Sequence, residues 1–95
     1  MNYEKVAESV QKIFIQYFNI SASSFSWEVP LEELQEDFKI LDYLIFLERL
    51  LQSKFKKDFF LLENISTAIH NPKDIVNLIV KIFEEELDRI ALEQV

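Results

Sequence analysis

Few side chains in this chain could do covalent or metal chemistry, and their spacing limits what that chemistry could be. His70 is the only histidine and cysteine is absent, which excludes disulfides, thiolate zinc sites and cysteine nucleophiles. The one conceivable metal pair is His70 with Asp74, at an i, i+4 spacing that spans Pro72. A catalytic or metal histidine needs partners, so His70 reads better as a surface or helix-end residue. Carboxylates crowd into EELQED (32–37) and FEEELD (83–88), where a helix start or a solvated helix face would put them, so no general acid and base pair is expected. Ser21, Ser23, Ser24 and Ser26 have no histidine or lysine at a diagnostic spacing and read as loop and turn residues. No catalytic or metal site is expected. What remains is Asp42, a lone acid near the head of the apolar stretch FKILDYLIFLERLL (38–51).

Composition narrows the classes further. The chain has no glycine, and phosphate-cradling loops and the nucleophile elbow both need glycine where backbone turns tightly or approaches a ligand. With 17 acidic against 10 basic side chains the net charge is -7. Binding to a phosphate backbone relies on Lys and Arg releasing counterions, so nucleic acid is an unfavourable partner and basic protein surfaces are better ones. The start MNYEKVAESV lacks the apolar run of a signal peptide, and Asp42, Glu48 and Arg49 interrupt the most apolar segment. No membrane span and a cytoplasmic location are therefore expected. Ninety-five residues suit a single domain with one core.

The elements follow from periodicity. Val6, Val10, Ile13, Phe14 and Tyr17 recur at helical spacing, predicting a helix over about 3–18 with Asn2 as its cap. NISASSFSWEVPLEELQE (19–36) reads as a long connection carrying one helical turn at PLEEL, tied down by Ile20, Phe25, Trp27, Val29 and Leu31. A second helix is expected from near Asp37 or Asp42 to about Phe55, apolar round more than one face and so the most buried element. KKDFF predicts a turn and ENISTAIH (63–70) a two-turn third helix. Asn71, Pro72 and Asp74 then form a strong start signal for a long last helix whose face runs Ile75, Leu78, Ile79, Ile82, Phe83, Leu87 and Ile90. Its end, about 84–95, is expected to extend the helix with an apolar strip. The fold class is all-α, a bundle of long, long, short and long helices.

This order, in an acidic chain of this length, resembles the acyl carrier proteins. The resemblance covers about 6–83 and is carried mostly by core spacing. IFIQYFNI from Ile13 is similar to the family's I-I-x-E-x-L-G-V at the end of the first helix, with Asn19 where glycine is usual. ILDYLIFLERLLQSKF resembles V-x-L-x-x-x-L-E-x-x-F, with Ile45, Leu47, Leu51 and Phe55 on the matching apolar positions. NPKDIVNLIVKI resembles the family's last helix. The resemblance implies an acyl carrier protein-like four-helix bundle with a long first loop and a short third helix.

The family's attachment motif, Asp-Ser-Leu at the start of the second helix, is missing. Counting back from Phe55 without a gap places Leu41 at the serine position; one deletion aligns Asp37, Ile40 and Asp42 with D-L-G-x-D-S-L and places Asp42 there, followed by Tyr43. Neither register offers a hydroxyl for phosphopantetheine, and Ser26 and Ser53 carry no motif. A carboxylate at Asp42 would cap the helix as serine does without accepting the prosthetic group. The family's acidic docking helix is altered too, with Glu48 beside Arg49 and then Lys54, Lys56 and Lys57.

The expected function is a module of a fatty acid, polyketide or related biosynthetic system, without phosphopantetheine and not an enzyme, binding protein partners such as acyl-processing enzymes through Asp42, Tyr43, Phe46 and Arg49. Phosphopantetheine would be its cofactor only if the attachment position lies elsewhere. Tyr43 and Phe46 have a second reading, as core under the first loop. The alternative function is an unrelated helical adaptor or oligomerisation protein whose final helix pairs with a copy or partner, so both monomer and homodimer stay open.

Overall fold

A computed structural model describes residues 2–58, 60–65 and 69–93, with 87–93 described as helical backbone only. Among the described residues all regular structure is helical: α1 (Tyr3–Tyr17), α2 (Leu31–Leu34), a 3₁₀ turn (Glu36–Lys39), α3 (Leu41–Phe55), α4 (Leu61–Asn64) and α5 (Pro72–Glu93). None of these helices is long and apolar enough to cross a membrane.

Helix α1 begins where the Asn2 side chain accepts the Glu4 amide at 2.7 Å, as the sequence predicts. It buries Val6, Val10, Ile13 and Phe14. Tyr17 departs from that face and is 49% exposed, because Phe18, just past the helix, fills the core at this end. Asn19 then takes a left-handed backbone, φ 57°, a conformation asparagine tolerates better than most residues.

The long connection is ordered by its own apolar residues, as expected. Ile20 is buried, and Phe25 and Trp27 pack against the core. The Phe25 ring stands edge-on to Trp27 at 4.8 Å and lies 5.7 Å from Phe14. The serines make a turn, Ser21 Oγ accepting the Ser24 amide at 3.2 Å. Two backbone bonds fasten the connection to the start of α5: Leu31 N–H to the His70 carbonyl, 3.0 Å, and Lys73 N–H to the Trp27 carbonyl, 3.1 Å.

Helix α5 starts on a reciprocal cap. Asn71 Oδ1 accepts the Asp74 amide at 2.9 Å, while the Asp74 carboxylate accepts the amides of His70 (2.9 Å) and Asn71 (3.4 Å). Pro72 occupies the first helical position and is buried, where its missing N–H costs nothing. Ile75, Val76 and Ile79 enter the core, and the most extensive helix contact joins α5 to α1. The helix continues to Glu93; the expected apolar strip of Leu87, Ile90 and Ala91 lies outside the described side chains.

Three sequence expectations need correction. Among the described residues the region after Lys57 gives α4 over Leu61–Asn64, and Ile65, Ile69 and His70 are not helical, so the expected two-turn helix over 63–70 is not formed; residues 66–68 lie outside the described residues. The Asn64 side chain donates to the Phe60 carbonyl at 2.8 Å and its own carbonyl accepts the Ile69 amide at 2.9 Å, closing the helix there. A 3₁₀ turn, unforeseen, stands before α3 and plants Phe38 in the core against Phe18 (4.8 Å) and Phe14 (5.6 Å). Finally, α3 is not the most buried element: it buries Leu47 and Leu51 but leaves Leu41 60%, Phe46 44% and Tyr43 39% exposed. Phe38 already fills the space beneath the first loop that Tyr43 and Phe46 would otherwise occupy.

Candidate functional site

Helix geometry decides what α3 presents outward. At about 100° per residue, the side opposite Leu47 and Leu51 carries Asp42, Ile45 and Arg49, with Phe46 and then Leu50, which also packs against the core, on its flank. These five residues line one open hollow of about 590 Å³. Three of the four anticipated partner-binding residues, Asp42, Phe46 and Arg49, thus share a surface, and Tyr43 lies to one side of it. Ile45 and Leu50 complete it. The core spacing assigned Ile45 to the interior, but it is half-buried on this face.

The Phe46 ring is held from behind, 5.6 Å from Phe18 and 6.2 Å from Tyr17. Tyr17 belongs to the site by that contact, and no periodicity in α3 could have indicated it. Ile40, 50% exposed, and Leu41 extend the apolar surface towards the 3₁₀ turn.

Asp42 stands at the second residue of α3, exposed, as its assignment to the head of the helix requires. It is not the cap. The cap position is Ile40, which gives no side-chain hydrogen bond. The carboxylate therefore acts on the helix start through its charge alone. Glu48, grouped by sequence with the altered docking charges, turns inward, and its Oε2 accepts the Leu62 amide at 3.1 Å. Lys57 is likewise engaged, paired with Glu86 and 5.8 Å over the Phe83 ring. The charges on the side opposite Leu47 and Leu51 are Asp42 and Arg49, with Lys54 and Lys56 exposed further along, at the end of α3.

The chemically capable side chains are dispersed. His70 is exposed at the start of α5 and contributes backbone bonds, so the helix-end reading holds. Among the described residues no group of three His, Cys, Asp or Glu converges as a metal site. Ser53 is exposed near the end of α3, and Ser26 is half-buried in a separate hollow with Tyr3, Phe25, Trp27 and Lys73. A third hollow, about 740 Å³, is lined by Leu31, Phe38, Leu44, Ile65 and Ile69 together with Glu32, Lys39 and His70. Its described lining is mostly apolar and offers room for an apolar group.

The fold and site define a small all-helical module with an aromatic, mixed-charge face on its central helix. Comparison of the chain with family models, with curated proteins and with solved structures finds no match.

Proposed function

We propose that this chain is an acyl carrier protein-like four-helix module of a fatty acid, polyketide or related biosynthetic system, acting as a protein-binding module without phosphopantetheine and without enzymatic activity. The observation that carries this reading is the outward face of α3, where an exposed carboxylate at Asp42 stands beside an exposed aromatic ring at Phe46. An exposed ring held by Tyr17 and Phe18 suits a contact with another protein, since rigid aromatic anchors lose little freedom on binding. The left-handed backbone at Asn19 also supports the resemblance, because glycine, usual at the family's equivalent position, adopts that conformation without steric cost. Intact-mass measurement after incubation with coenzyme A and a broad phosphopantetheinyl transferase tests the claim. An unchanged mass is expected; a gain of the prosthetic group at any serine would overturn it.

A second reading, an unrelated helical adaptor, draws on α4 being a single turn and on α5 running 22 residues. In that case α5 makes the partner contact. Sedimentation of the chain ending near Glu84 separates the two, since an association carried by α5 would be lost there.

A further inference from the structure

We propose that the outward face of α3 pairs with the same face of a second copy of this chain, antiparallel, about a two-fold axis passing between Ile45 and Phe46. The inference rests on the reading above that this face is a docking surface, and it names the partner.

The order of side chains along the face makes the case. An apolar centre, Ile45 and Phe46, is flanked by one acid towards the start of the helix and one base towards its end, both exposed. Asp42 lies three positions before Ile45, and Arg49 lies three after Phe46. A two-fold axis between the two apolar residues therefore carries Asp42 of each copy onto Arg49 of the other, so the pair forms twice. It also sets Ile45 against Phe46. Parallel pairing would place acid on acid and base on base, which is unfavourable. The face is complementary to itself in one orientation only.

Charge elsewhere on the molecule strengthens the argument. At a net charge of -7, two copies repel each other through most of their surfaces. The α3 face escapes this because Arg49 balances Asp42 and Glu48 is withdrawn to the Leu62 amide. Phe46 is already fixed by Tyr17 and Phe18, so little side-chain freedom is lost on pairing. An isologous contact of this kind is the usual route to a symmetric dimer. A contact one helix wide falls at the small end of specific interfaces, so dissociation constants of roughly 1 to 100 μM are expected.

Sedimentation equilibrium on the full chain tests the proposal, with Asp42→Arg, Arg49→Asp and the double exchange compared at low salt. Both positions are exposed, and circular dichroism checks that each variant stays folded. The wild type should dimerise reversibly, and each single exchange should weaken the dimer by about tenfold or more. The double exchange should recover most of that loss. A wild type that stays monomeric at millimolar concentration overturns the proposal. So does a dimer indifferent to the single exchanges, or a double exchange as weak as either one. Intact mass on the same sample keeps the two readings apart. A monomer without the prosthetic group defeats self-pairing alone, whereas uptake of phosphopantetheine defeats the non-carrier function and leaves the exchange series to decide the pairing.

Discussion

The Glu48 carboxylate accepts the Leu62 amide at 3.1 Å, tying the middle of α3 to the first turn of α4. Leu62 carries one of the amides that a helix start leaves without an intrahelical partner. Phe60, at the cap position of α4, has no side-chain acceptor to offer it. A residue that the family resemblance would place on a docking surface is thereby committed to holding a single-turn helix in place. Glu48→Ala should cost about 1 to 2 kcal/mol and raise amide exchange at Leu62, with Glu48→Gln retaining most of both. Urea denaturation and exchange measured together check this; unchanged protection at Leu62 would show that the bond does not hold the turn.

The chain has no glycine, yet two backbone positions are left-handed, Asn19 at φ 57° and Lys56 at φ 55°. Lys56 terminates α3, and a residue with a Cβ is strained there. Lys56→Gly should stabilise the fold by about 0.5 to 1 kcal/mol, the relief exceeding the entropy lost by glycine. Asn19→Val, with a branched side chain in the same conformation, should destabilise by about 1 to 2 kcal/mol. Thermal melts that move in the same direction for both would contradict this.

Helix starts should respond unequally to loss of an acid or amide. Asn71→Ala removes a cap bonded to the Asp74 amide at 2.9 Å and should cost about 1 kcal/mol. Asp42→Ala removes only a favourable charge near the helix dipole and should cost about 0.3 to 1 kcal/mol at low salt, fading as salt is added. A larger and salt-independent loss at Asp42 would mean that it caps α3 after all.

The two faces of α3 should separate by truncation. Leu47 is fully buried, whereas Phe46 is 44% exposed. Leu47→Ala should cost about 2 to 5 kcal/mol. Phe46→Ala removes a larger side chain yet should cost about 1 kcal/mol or less, measured on the monomer in denaturant titrations. Equal losses would place Phe46 in the core.

Sequence made α1 and α5 legible because their starts are local chemistry, Asn2 at one and Asn71, Pro72 and Asp74 at the other. The shared placement of Asp42, Phe46 and Arg49, the residues anticipated to bind a partner, was legible because helical spacing alone brings them together. What sequence could not show is which apolar side of α3 meets the core. Leu41, Tyr43 and Phe46 look as buriable as Leu47, and the choice depends on Phe38 arriving from a 3₁₀ turn to pack on Phe14 and Phe18. That is a long-range contact with no local signature. The inward turn of Glu48 depends in the same way on where α4 begins.

The two backbone bonds between the first connection and the start of α5, Leu31 to His70 and Trp27 to Lys73, join segments far apart in the sequence. Such contacts close late in folding, after helices that need only their own neighbours have formed. Contacts made after the rate-limiting step govern how fast the native state opens, not how fast it is reached. Trp27→Ala removes the side-chain packing that seats the connection, so stopped-flow kinetics should show faster unfolding with a nearly unchanged folding rate. That outcome would make the connection a latch, a stretch whose release sets how long the folded molecule lives.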